Sequence, residues 1–537
     1  MTTMRRRALD LLITLDRSGT ASEGLTRQIY TCLREAILTG RLRAGDRLPP
    51  SRAMAQELGV ARLTVATAYD WLSAEGYVAG RVGAGTYVAP AFATYAADDA
   101  PPRLETPPSG ATSAEATSES PPGPEPPRPL TTWARRIQAI PLMGAGADDA
   151  AGAQFDFSSG AGAADAFPWS RWRRLVAQQD MTDPLAELRA RSRERAASAG
   201  RWDALLGPLE TRAAIAAWLR RSRAVRCEPE QLLIAGSVQQ ILALLARLLV
   251  EPGQRLLVED PSYIGFHAAF LAEGAALQGI AVDEHGIRPS ALPLPQALDA
   301  ETAARLLIVT PSHQYPTGVT LALERRMALI EWSRRAGAVL VEDDYDGDLR
   351  LEGQPLEALR GLDDRDEVIY LGTFAKALYP AVRLAFAVLP RWLVEPVARA
   401  RAASDRHPTW RDALTVARFI ESGELERHLA RVRRLYRARR DALTAALREE
   451  LDGYVAIGPA EAGIHLLAGL PAGVDDVALA ARARARGLAI APLSPHYQNR
   501  ARGRSGLLLG FGALDEERLR TGVHLLAPLV REAVTAV

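Results

Sequence analysis

The chain has 537 residues, of which 48% are hydrophobic and 24% are charged, and its formal net charge is +1. These values are typical of a multidomain globular protein, and they exclude a disordered chain, a fibrous chain and a uniformly basic nucleic-acid wrapper. Two cysteines exclude a disulfide scaffold and a cysteine zinc site, and the sequence predicts no metal centre. Because no apolar run approaches the roughly 18 residues that a membrane span needs, we expect a cytoplasmic protein.

The first 90 residues predict a small helical domain with two short strands. Apolar residues recur at helical spacing between Gly24 and Gly40, and Ser51 is placed to cap a short helix that Gly59 ends. A second helical pattern follows, and two β-like runs then flank a glycine-rich turn. We therefore predict a winged helix-turn-helix of α+β class, with helices over 24–40, Ser51–Leu58 and Arg62–Ala74 and a wing formed by Tyr77-Val78 and Thr86–Val88.

Charge supports a nucleic-acid role for this block. Residues 1–90 contain 12 arginines against 8 acidic residues, a local charge of +4 in a chain whose total is +1. The alternative is a small helical interaction domain with an arginine-rich surface.

Short motifs in this block resemble the GntR-type DNA-binding domain. They are Gln28-Ile29-Tyr30, the run from Ala44 to Arg52, the run from Ala55 to Val60, and Ala74 to Tyr77, and the resemblance spans Leu25–Val88. It implies contacts with bases, phosphates or the minor groove by Arg52, Arg62, Thr64, Arg81 and Gly83. Leu63 and Ala66 depart from the family pattern, which leaves the operator sequence open.

Residues 91–150 are predicted to be a flexible, proline-rich linker, because 11 prolines fall between residues 90 and 130 and few large apolar residues accompany them. Residues 151–537 alternate apolar β-like runs with long helical patterns. This alternation predicts an α/β domain with a mostly parallel central sheet that helices cover on both faces. The β-like runs are Leu232–Ala235, Arg255–Glu259, Leu306–Val309, Val339–Glu342 and Val368–Leu371.

The chain has a single lysine, Lys376, and 64 arginines. Arginine does not deprotonate in proteins, so Lys376 is the one side chain available for amine chemistry. Thr373 and Arg383 lie three residues before it and seven residues after it. A hydroxyl and a cation at these positions suit a phosphate held beside an imine on the lysine.

Two further segments complete what a pyridoxal phosphate (PLP) site needs. The acid-rich run 341–346 follows a buried-looking strand, where α/β sheets place ligand sites. The turn Ala235-Gly236-Ser237 leads from a strand into a helix, whose N-terminus favours an anion. Each feature alone has an ordinary explanation, because strand-end acids are often solvated and Gly-Ser turns are common.

From Phe155 to Leu526 the chain resembles the aminotransferase fold, PLP fold type I, with a smaller C-terminal α/β subdomain. The loop Thr310–Gly318 is similar to the family's Asn-Pro-Thr-Gly loop. The resemblance implies that Lys376 forms the imine, Asp343 pairs with the pyridinium nitrogen, Tyr345 neighbours the ring hydroxyl and Tyr263 stacks on the ring. It implies phosphate contacts by Ser237, Val238, Thr373 and Arg383.

Tyr315 stands where transaminases carry asparagine, and the stretch Ser312-His313-Gln314-Tyr315 resembles MocR/GabR-type regulators, which join a GntR-type domain to this fold. The resemblance implies a PLP-dependent transcriptional regulator that binds promoter DNA as a domain-swapped homodimer and senses PLP or an amino compound. The alternative is a working aminotransferase with an appended DNA-binding domain. Arg504 is the candidate for an effector carboxylate, although Arg502 is equally near, and the regulated genes and the sign of regulation stay open.

Overall fold

The structure is a computed structural model. It describes Leu15 and residues 24–81, 85–89, 130–140, 152–178, 202–293, 304–354, 356–378, 382–406, 408–499 and 503–537. The chain divides into two compact units, Met1–Glu125 and Pro126–Val537.

The first unit is the predicted winged helix-turn-helix. It contains helices α1 (Leu25–Leu38), α2 (Ser51–Leu58) and α3 (Arg62–Ala74), followed by the antiparallel strands β1 (Val78–Arg81) and β2 (Gly85–Val88). The apolar faces of the three helices meet the inner face of the hairpin. Their fully buried side chains include Ile29, Leu33, Val65, Leu72 and Val88.

The start of α2 differs from the prediction that Ser51 caps this helix. Pro50 occupies the N-cap position, Ser51 is the first helical residue, and no side chain caps the helix. The Pro50 carbonyl instead accepts hydrogen bonds from the N–H groups of Ala53 and Met54, at 2.8 and 3.1 Å. The proline pair keeps the chain extended up to Pro50, and the helix begins at Ser51, one residue earlier than a Ser51 cap requires. Gly59 ends the helix in the left-handed conformation, with φ 61°.

An eight-stranded sheet forms the centre of the second unit. Its strand order is β4-β11-β10-β9-β8-β5-β6-β7, and its middle strands β10, β9, β8, β5 and β6 are parallel. The predicted mostly parallel sheet is confirmed, with antiparallel strands at both sides. The strands are β4 (Leu232–Ala235), β5 (Arg255–Asp260), β6 (Ala276–Asp283), β7 (Gly286–Ile287), β8 (Ala304–Val309), β9 (Val339–Asp344), β10 (Ile369–Thr373) and β11 (Ala385–Val388).

A smaller C-terminal subdomain is built on a four-stranded antiparallel sheet. Its strand order is β12-β13-β16-β15, and a separate parallel pair joins β3 to β14. The predicted small subdomain is therefore confirmed. These strands are β3 (Phe155–Asp156), β12 (Ala456–Ile457), β13 (His465–Gly469), β14 (Leu488–Ala489), β15 (Ala491–Pro492) and β16 (Gly506–Gly510).

Helices cover both sheets of the second unit, and apolar clusters fill the space between the layers. The helices are α4 (Thr132–Ala139), α5 (Trp169–Ala177), α6 (Asp203–Leu206), α7 (Leu209–Ser222), α8 (Val238–Leu249), α9 (Ile264–Glu273), α10 (Leu323–Ala336), α11 (Leu359–Leu362), α12 (Phe374–Ala377), α13 (Arg391–Ala402), α14 (Trp410–Glu421), α15 (Glu424–Leu451), α16 (Asp476–Arg484) and α17 (Glu516–Thr535).

Helix α4 lies inside the interval predicted to be linker. The Thr131 side chain caps it by accepting a hydrogen bond from the N–H of Ala134 at 3.1 Å. Trp133 Nε1 donates to Glu273 Oε1 at the end of α9, at 3.1 Å, so this helix packs against α9 within the second unit. The spacing of Trp133 and Ile137, four residues apart on one helix face, is the sequence signal for it.

Candidate functional site

One cavity brings together all eight residues proposed from the sequence as cofactor contacts. Its volume is about 360 Å³, and it lies where the carboxyl ends of the central strands meet the turns that follow them. The eight are Ser237, Val238, Tyr263, Asp343, Tyr345, Thr373, Lys376 and Arg383, and Ser159, Gly160, Thr310 and Tyr315 also line the cavity.

Asp343 provides a buried carboxyl group to this cavity. It lies near the end of β9, whose register with β10 places Asp343 beside Leu371. Its side-chain atom Oδ1 is buried and has no hydrogen-bond partner among the described residues. Burial, together with the neighbouring carboxylates of Asp344 and Asp346, raises the pKa of Asp343 to about 8. A ligand that presents a positively charged N–H group would stabilise such an unpaired carboxyl group most.

Lys376 is positioned by the short helix α12, directly after β10. Its Nζ atom donates a hydrogen bond to the Gly160 carbonyl at 2.9 Å. Burial lowers the pKa of the Lys376 amine, while the carboxyl groups of Asp346 and Asp343 act in the opposite direction. A Cβ atom on Gly160 would lie 3.0 Å from Nζ, so the absence of a side chain at that position leaves room for the lysine. The site therefore holds an amine that is easier to deprotonate than an exposed lysine.

Three groups that line the same cavity suit an anion. Ser237 caps α8 by accepting a hydrogen bond from the N–H of Gln240 at 3.2 Å, and Val238 begins that helix. The backbone N–H groups and dipole of a helix N-terminus attract a phosphate. The guanidinium group of Arg383 lines the cavity and makes no hydrogen bond or ion pair with another described residue.

Aromatic rings form the walls of the cavity. The rings of Tyr263 and Tyr315 meet edge to face, with centroids 5.6 Å apart, and those of Tyr315 and Tyr345 do so at 5.9 Å. The Tyr315 hydroxyl lies 3.0 Å from Ser159 Oγ, and burial raises the pKa of Tyr315. Tyr315, the departure from the transaminase pattern, thus faces the same space as the proposed cofactor contacts.

Buried polar groups that the sequence analysis missed hold the loop 310–318 beside the cavity. Glu259 Oε2 accepts hydrogen bonds from the Thr310 N–H at 3.0 Å, the Thr310 hydroxyl at 2.6 Å and the Gln314 amide at 3.2 Å. Burial raises the pKa of Glu259 to about 7, although these hydrogen bonds oppose the rise. Its place at the end of strand β5 was a usable signal, because strand ends surround the site.

A second polar network lies behind β9. The Arg223 guanidinium bonds Asp344 at 2.7 Å and the Ser312 hydroxyl at 2.6 Å, and the Tyr370 hydroxyl also donates to Asp344. This network joins the end of β9 to the loop that carries Tyr315. The sequence offered no signal for it, because Arg223 is distant from the other groups along the chain.

The structure does not bring Arg504 to the Lys376 cavity. Arg504 is exposed and lines a different cavity of about 770 Å³ between the two subdomains of the second unit, together with Tyr497 and Thr317. The family resemblance suggested Arg504, because it lies near the position from which this fold supplies an arginine for an effector carboxylate, but its side chain borders the other cavity. Arg502 lies outside the described residues.

In the first unit, Arg52 and Arg62 are exposed, and Thr64 is half-buried in the first turn of α3. Neither guanidinium makes a hydrogen bond or ion pair with another described residue. Leu63, between Arg62 and Thr64, is 76% exposed. Gly83 and the side chain of Arg81 lie outside the described residues.

No helix in the described ranges is both long enough and apolar enough to cross a membrane.

Comparison with known proteins gives a match for each unit. Residues 25–88 match the bacterial regulatory proteins of the gntR family, and residues 179–519 match aminotransferase class I and II.

Two curated relatives match over nearly the whole chain. The probable rhizopine catabolism regulatory protein MocR of Rhizobium meliloti is 35% identical over 517 residues, which cover 96% of this chain and 95% of the relative. The pyridoxine biosynthesis transcriptional regulator PdxR of Corynebacterium glutamicum is 31% identical over 496 residues, which cover 92% of this chain and 93% of the relative.

Among solved structures, the chain is similar to LysN, the α-aminoadipate aminotransferase of Thermus thermophilus, complexed with N-(5'-phosphopyridoxyl)-L-leucine. The TM-score is 0.64 at 28% sequence identity, and the match covers 76% of this chain and 98% of LysN.

Proposed function

Because this chain belongs to the MocR family of transcriptional regulators, we propose that its Lys376 cavity binds PLP and that the ligand held there sets the affinity of the chain for DNA. The observation that carries this proposal is the convergence of eight separate side chains on one cavity. They come from five stretches of the second unit, in a chain that also carries a winged helix-turn-helix.

The protein is a helix-turn-helix regulator, and DNA is the partner of its GntR-type domain. Our proposal for the contacts rests on the exposed guanidinium groups of Arg52 and Arg62 at the start of α2 and α3. Binding of an unpaired surface arginine to a phosphate or a guanine edge costs little free energy, since no existing ion pair has to break first. Thr64, Arg81 and Gly83 complete the proposed surface by resemblance.

PLP is the cofactor of the aminotransferase class I and II fold, and the residues present here fit it. The buried and unpartnered Asp343 Oδ1 suits the protonated nitrogen of a pyridine ring. The unpaired Arg383 guanidinium and the N-terminus of α8 suit its phosphate, and Lys376 suits its aldehyde. PLP supplies an aldehyde carbon that condenses with an amine.

The Lys376 amine and the Asp343 carboxyl group have distinct tasks in this proposal. The lowered pKa of Lys376 increases the fraction of neutral amine, which is the nucleophilic form. Asp343 orients the ring and holds its nitrogen in the protonated state, and in turn the cationic nitrogen favours the ionised form of Asp343. The rings of Tyr263 and Tyr315 line the space that would hold the cofactor ring.

We propose that the ligand that changes DNA affinity is PLP itself or an amino compound that displaces Lys376 from PLP. Of the two relatives, one is described as a regulator of pyridoxine biosynthesis and the other as a regulator of rhizopine catabolism, so both ligand classes are open. In either case, the ligand changes the equilibrium between two conformations of the protein. The size of that change is limited by the difference between the ligand's affinities for the two conformations. Arg504 remains a candidate anion contact only in the second cavity.

We also propose that the chain works in the cytoplasm as a homodimer with exchanged DNA-binding units. This is the arrangement that the family resemblance implies, and the roughly 40 residues between Ala89 and Leu130 would span about 35 Å if they form the flexible linker that their composition predicts. A chain of that reach allows two DNA-binding units to contact separated half-sites. Light scattering that gives the mass of one chain for the full-length protein would contradict the dimer.

Fluorescence anisotropy with the full-length chain and the DNA upstream of its own coding sequence tests the function. We expect the Kd for this DNA to change at least threefold when PLP is added, and the change to disappear in Lys376→Ala. Equal affinities with and without PLP and a panel of amines would contradict regulation through the cavity. Catalytic conversion of an amino donor to its keto acid over many turnovers would favour the aminotransferase alternative instead.

A further inference from the structure

Behind Tyr345 lies a buried pair, His313 and Asp346, that the proposed function leaves without a task. His313 Nδ1 lies 2.7 Å from Asp346 Oδ2, and both side chains are at most 1% exposed. The Tyr345 hydroxyl lies 2.9 Å from the same nitrogen atom. Tyr345 itself lines the Lys376 cavity, so this pair is one residue away from any ligand bound there.

The chemistry of the three groups determines where their hydrogen atoms lie. A carboxylate only accepts hydrogen bonds, so the hydrogen atom of the 2.7 Å contact belongs to His313 Nδ1. The Tyr345 oxygen then accepts from the same N–H group. The other ring nitrogen of His313, Nε2, is buried without a partner among the described residues.

The hydrogen atom of the Tyr345 hydroxyl consequently has two competing acceptors. One is the Asp346 carboxylate, which contacts the same His313 nitrogen atom as the Tyr345 hydroxyl. The other is an acceptor oxygen of a ligand in the cavity. His313 weakens the first competitor, because its N–H group already bonds Asp346 Oδ2 and makes that oxygen a poorer acceptor for the Tyr345 hydroxyl.

Packing fixes the pair in this arrangement. Gly463, from the small subdomain, lies so close that a Cβ atom there would be 2.4 Å from both Asp346 Oδ2 and His313 Cε1. The ring of His465, which is fully buried, lies 5.0 Å from the ring of His313, centroid to centroid. Neither ring has room to turn away, so the Nδ1–H group stays directed at Asp346 and Tyr345.

We propose that His313 is a positioning residue that, by occupying the Asp346 carboxylate, leaves the Tyr345 hydroxyl free to donate a hydrogen bond to the ring oxygen of PLP. This inference rests on the proposed function, because it assigns a task to residues behind the same cavity. A hydrogen bond donated to that oxygen disperses its negative charge. The neighbouring cationic nitrogen of the Lys376 linkage then loses its proton at lower pH.

The readout is the pH midpoint of the visible absorbance change of PLP bound to the full-length chain. Other titratable and charged groups that face the cavity or lie behind it stay constant across the variants compared: Glu259, Tyr263, Tyr315, Asp343, Arg383 and His465. In His313→Leu, the Tyr345 hydroxyl donates its hydrogen bond to Asp346 instead of to PLP. We therefore expect the pH midpoint to rise by about one pH unit and the Kd for PLP to rise about tenfold.

Two further variants separate positioning from mere packing. His313→Asn keeps an N–H donor one bond from Cγ, close to the place of Nδ1, and we expect it to restore most of the midpoint shift. In the double variant His313→Leu with Asp346→Asn, the competing carboxylate is replaced by a weaker amide acceptor. We expect the midpoint to return at least halfway to the wild-type value. This decrease should exceed the one that Asp346→Asn alone causes by removing a negative charge near Lys376, an excess that lost packing does not produce.

The matched control is His285→Leu, at an exposed histidine in the β6–β7 turn, which we expect to leave the midpoint unchanged. A wild-type midpoint in His313→Leu, or equal shifts in the Asn and Leu variants, would overturn the inference while leaving the proposed function intact. A wild-type chain that never shows lysine-bound PLP absorbance would overturn both. A metal ion bound at one per chain and lost in His465→Ala would also overturn it, since Nδ1 would then carry a metal instead of hydrogen.

Discussion

The Lys376 cavity and the DNA-binding surface of the first unit use charge in opposite ways. In the cavity, charged groups such as Asp343 and Lys376 are removed from water, and their pKa values move by burial and by one another. On the first unit, Arg52 and Arg62 stay exposed and unpaired. Ligand affinity at a buried site therefore depends on single groups, each with a large effect. DNA affinity at an exposed surface depends on the sum of many small contributions that salt screens.

The largest effect is expected at Lys376. Lys376→Ala removes the only lysine, so lysine-bound PLP absorbance should disappear completely, and borohydride reduction should label no peptide of the variant. Lys376→Arg, which keeps the positive charge, should lose the absorbance as well, because guanidinium does not deprotonate. Retained absorbance in either folded variant, checked by its melting temperature, would show that the cavity is assigned to the wrong chemistry.

The next effect is expected at Asp343. Asp343→Asn keeps the shape of the side chain but removes the negative charge that pairs with a ring nitrogen. Loss of one charge-assisted hydrogen bond corresponds to about 1.5–3 kcal/mol, so the Kd for PLP should rise about 10- to 100-fold. Equilibrium dialysis measures it, and Asp364→Asn, at a residue far from the cavity lining, is the matched control. Equal affinity in Asp343→Asn and wild type would contradict the role of Asp343.

Asp343 also predicts how the stability of the PLP-free chain depends on pH. Its folded-state pKa of about 8 lies above the ordinary value of 3.8, so the folded chain binds more protons than the unfolded chain between these limits. The stability that Asp343 contributes is complete below pH 4 and is lost as the pH rises to about 8, with a slope of at most ~1.4 kcal/mol per pH unit. Urea unfolding at pH 5 and 8 measures this loss.

Asp343→Asn should reduce that loss, because the amide does not ionise. Glu259, whose pKa burial raises to about 7, acts in the same direction and remains in the variant. An identical pH dependence in the variant and the wild type would mean that Asp343 does not carry a raised pKa.

The smallest single effect is expected on the DNA-binding surface. Arg62→Ala should weaken DNA binding by about 1 kcal/mol, and the slope of log K against log salt should fall by about one if Arg62 contacts a phosphate. Arg27→Ala, an exposed arginine on α1, is the matched control. A slope unchanged by Arg62→Ala, with specificity relaxed at one base pair, would assign Arg62 to base contact instead. If the wild type, Arg62→Ala and Arg27→Ala bind DNA with equal affinity, Arg62 does not contact DNA.

Local sequence patterns sufficed for the elements and for most of the cavity. Helices Ser51–Leu58 and Arg62–Ala74 and strand Leu232–Ala235 agree with their predicted bounds, because glycines and apolar periodicity mark their ends. Ser237, Asp343 and Thr373 were found because each follows a recognisable strand. Patterns failed where the deciding contact is distant along the chain, as for α4, which forms against α9. The role predicted for Arg504 stays a prediction, and its side chain borders another cavity.

The sequence by itself determined the two-unit architecture, the PLP fold and the choice of Lys376, because one lysine among 64 arginines leaves a single amine and local motifs surround it. Only the tertiary structure decided how protons and charges are arranged there. Glu259, His313 and Asp346 come from three different strand ends, and their hydrogen bonds and altered pKa values depend on burial and on through-space distance. Coulomb energy and desolvation depend on spatial separation, which no spacing along the chain encodes.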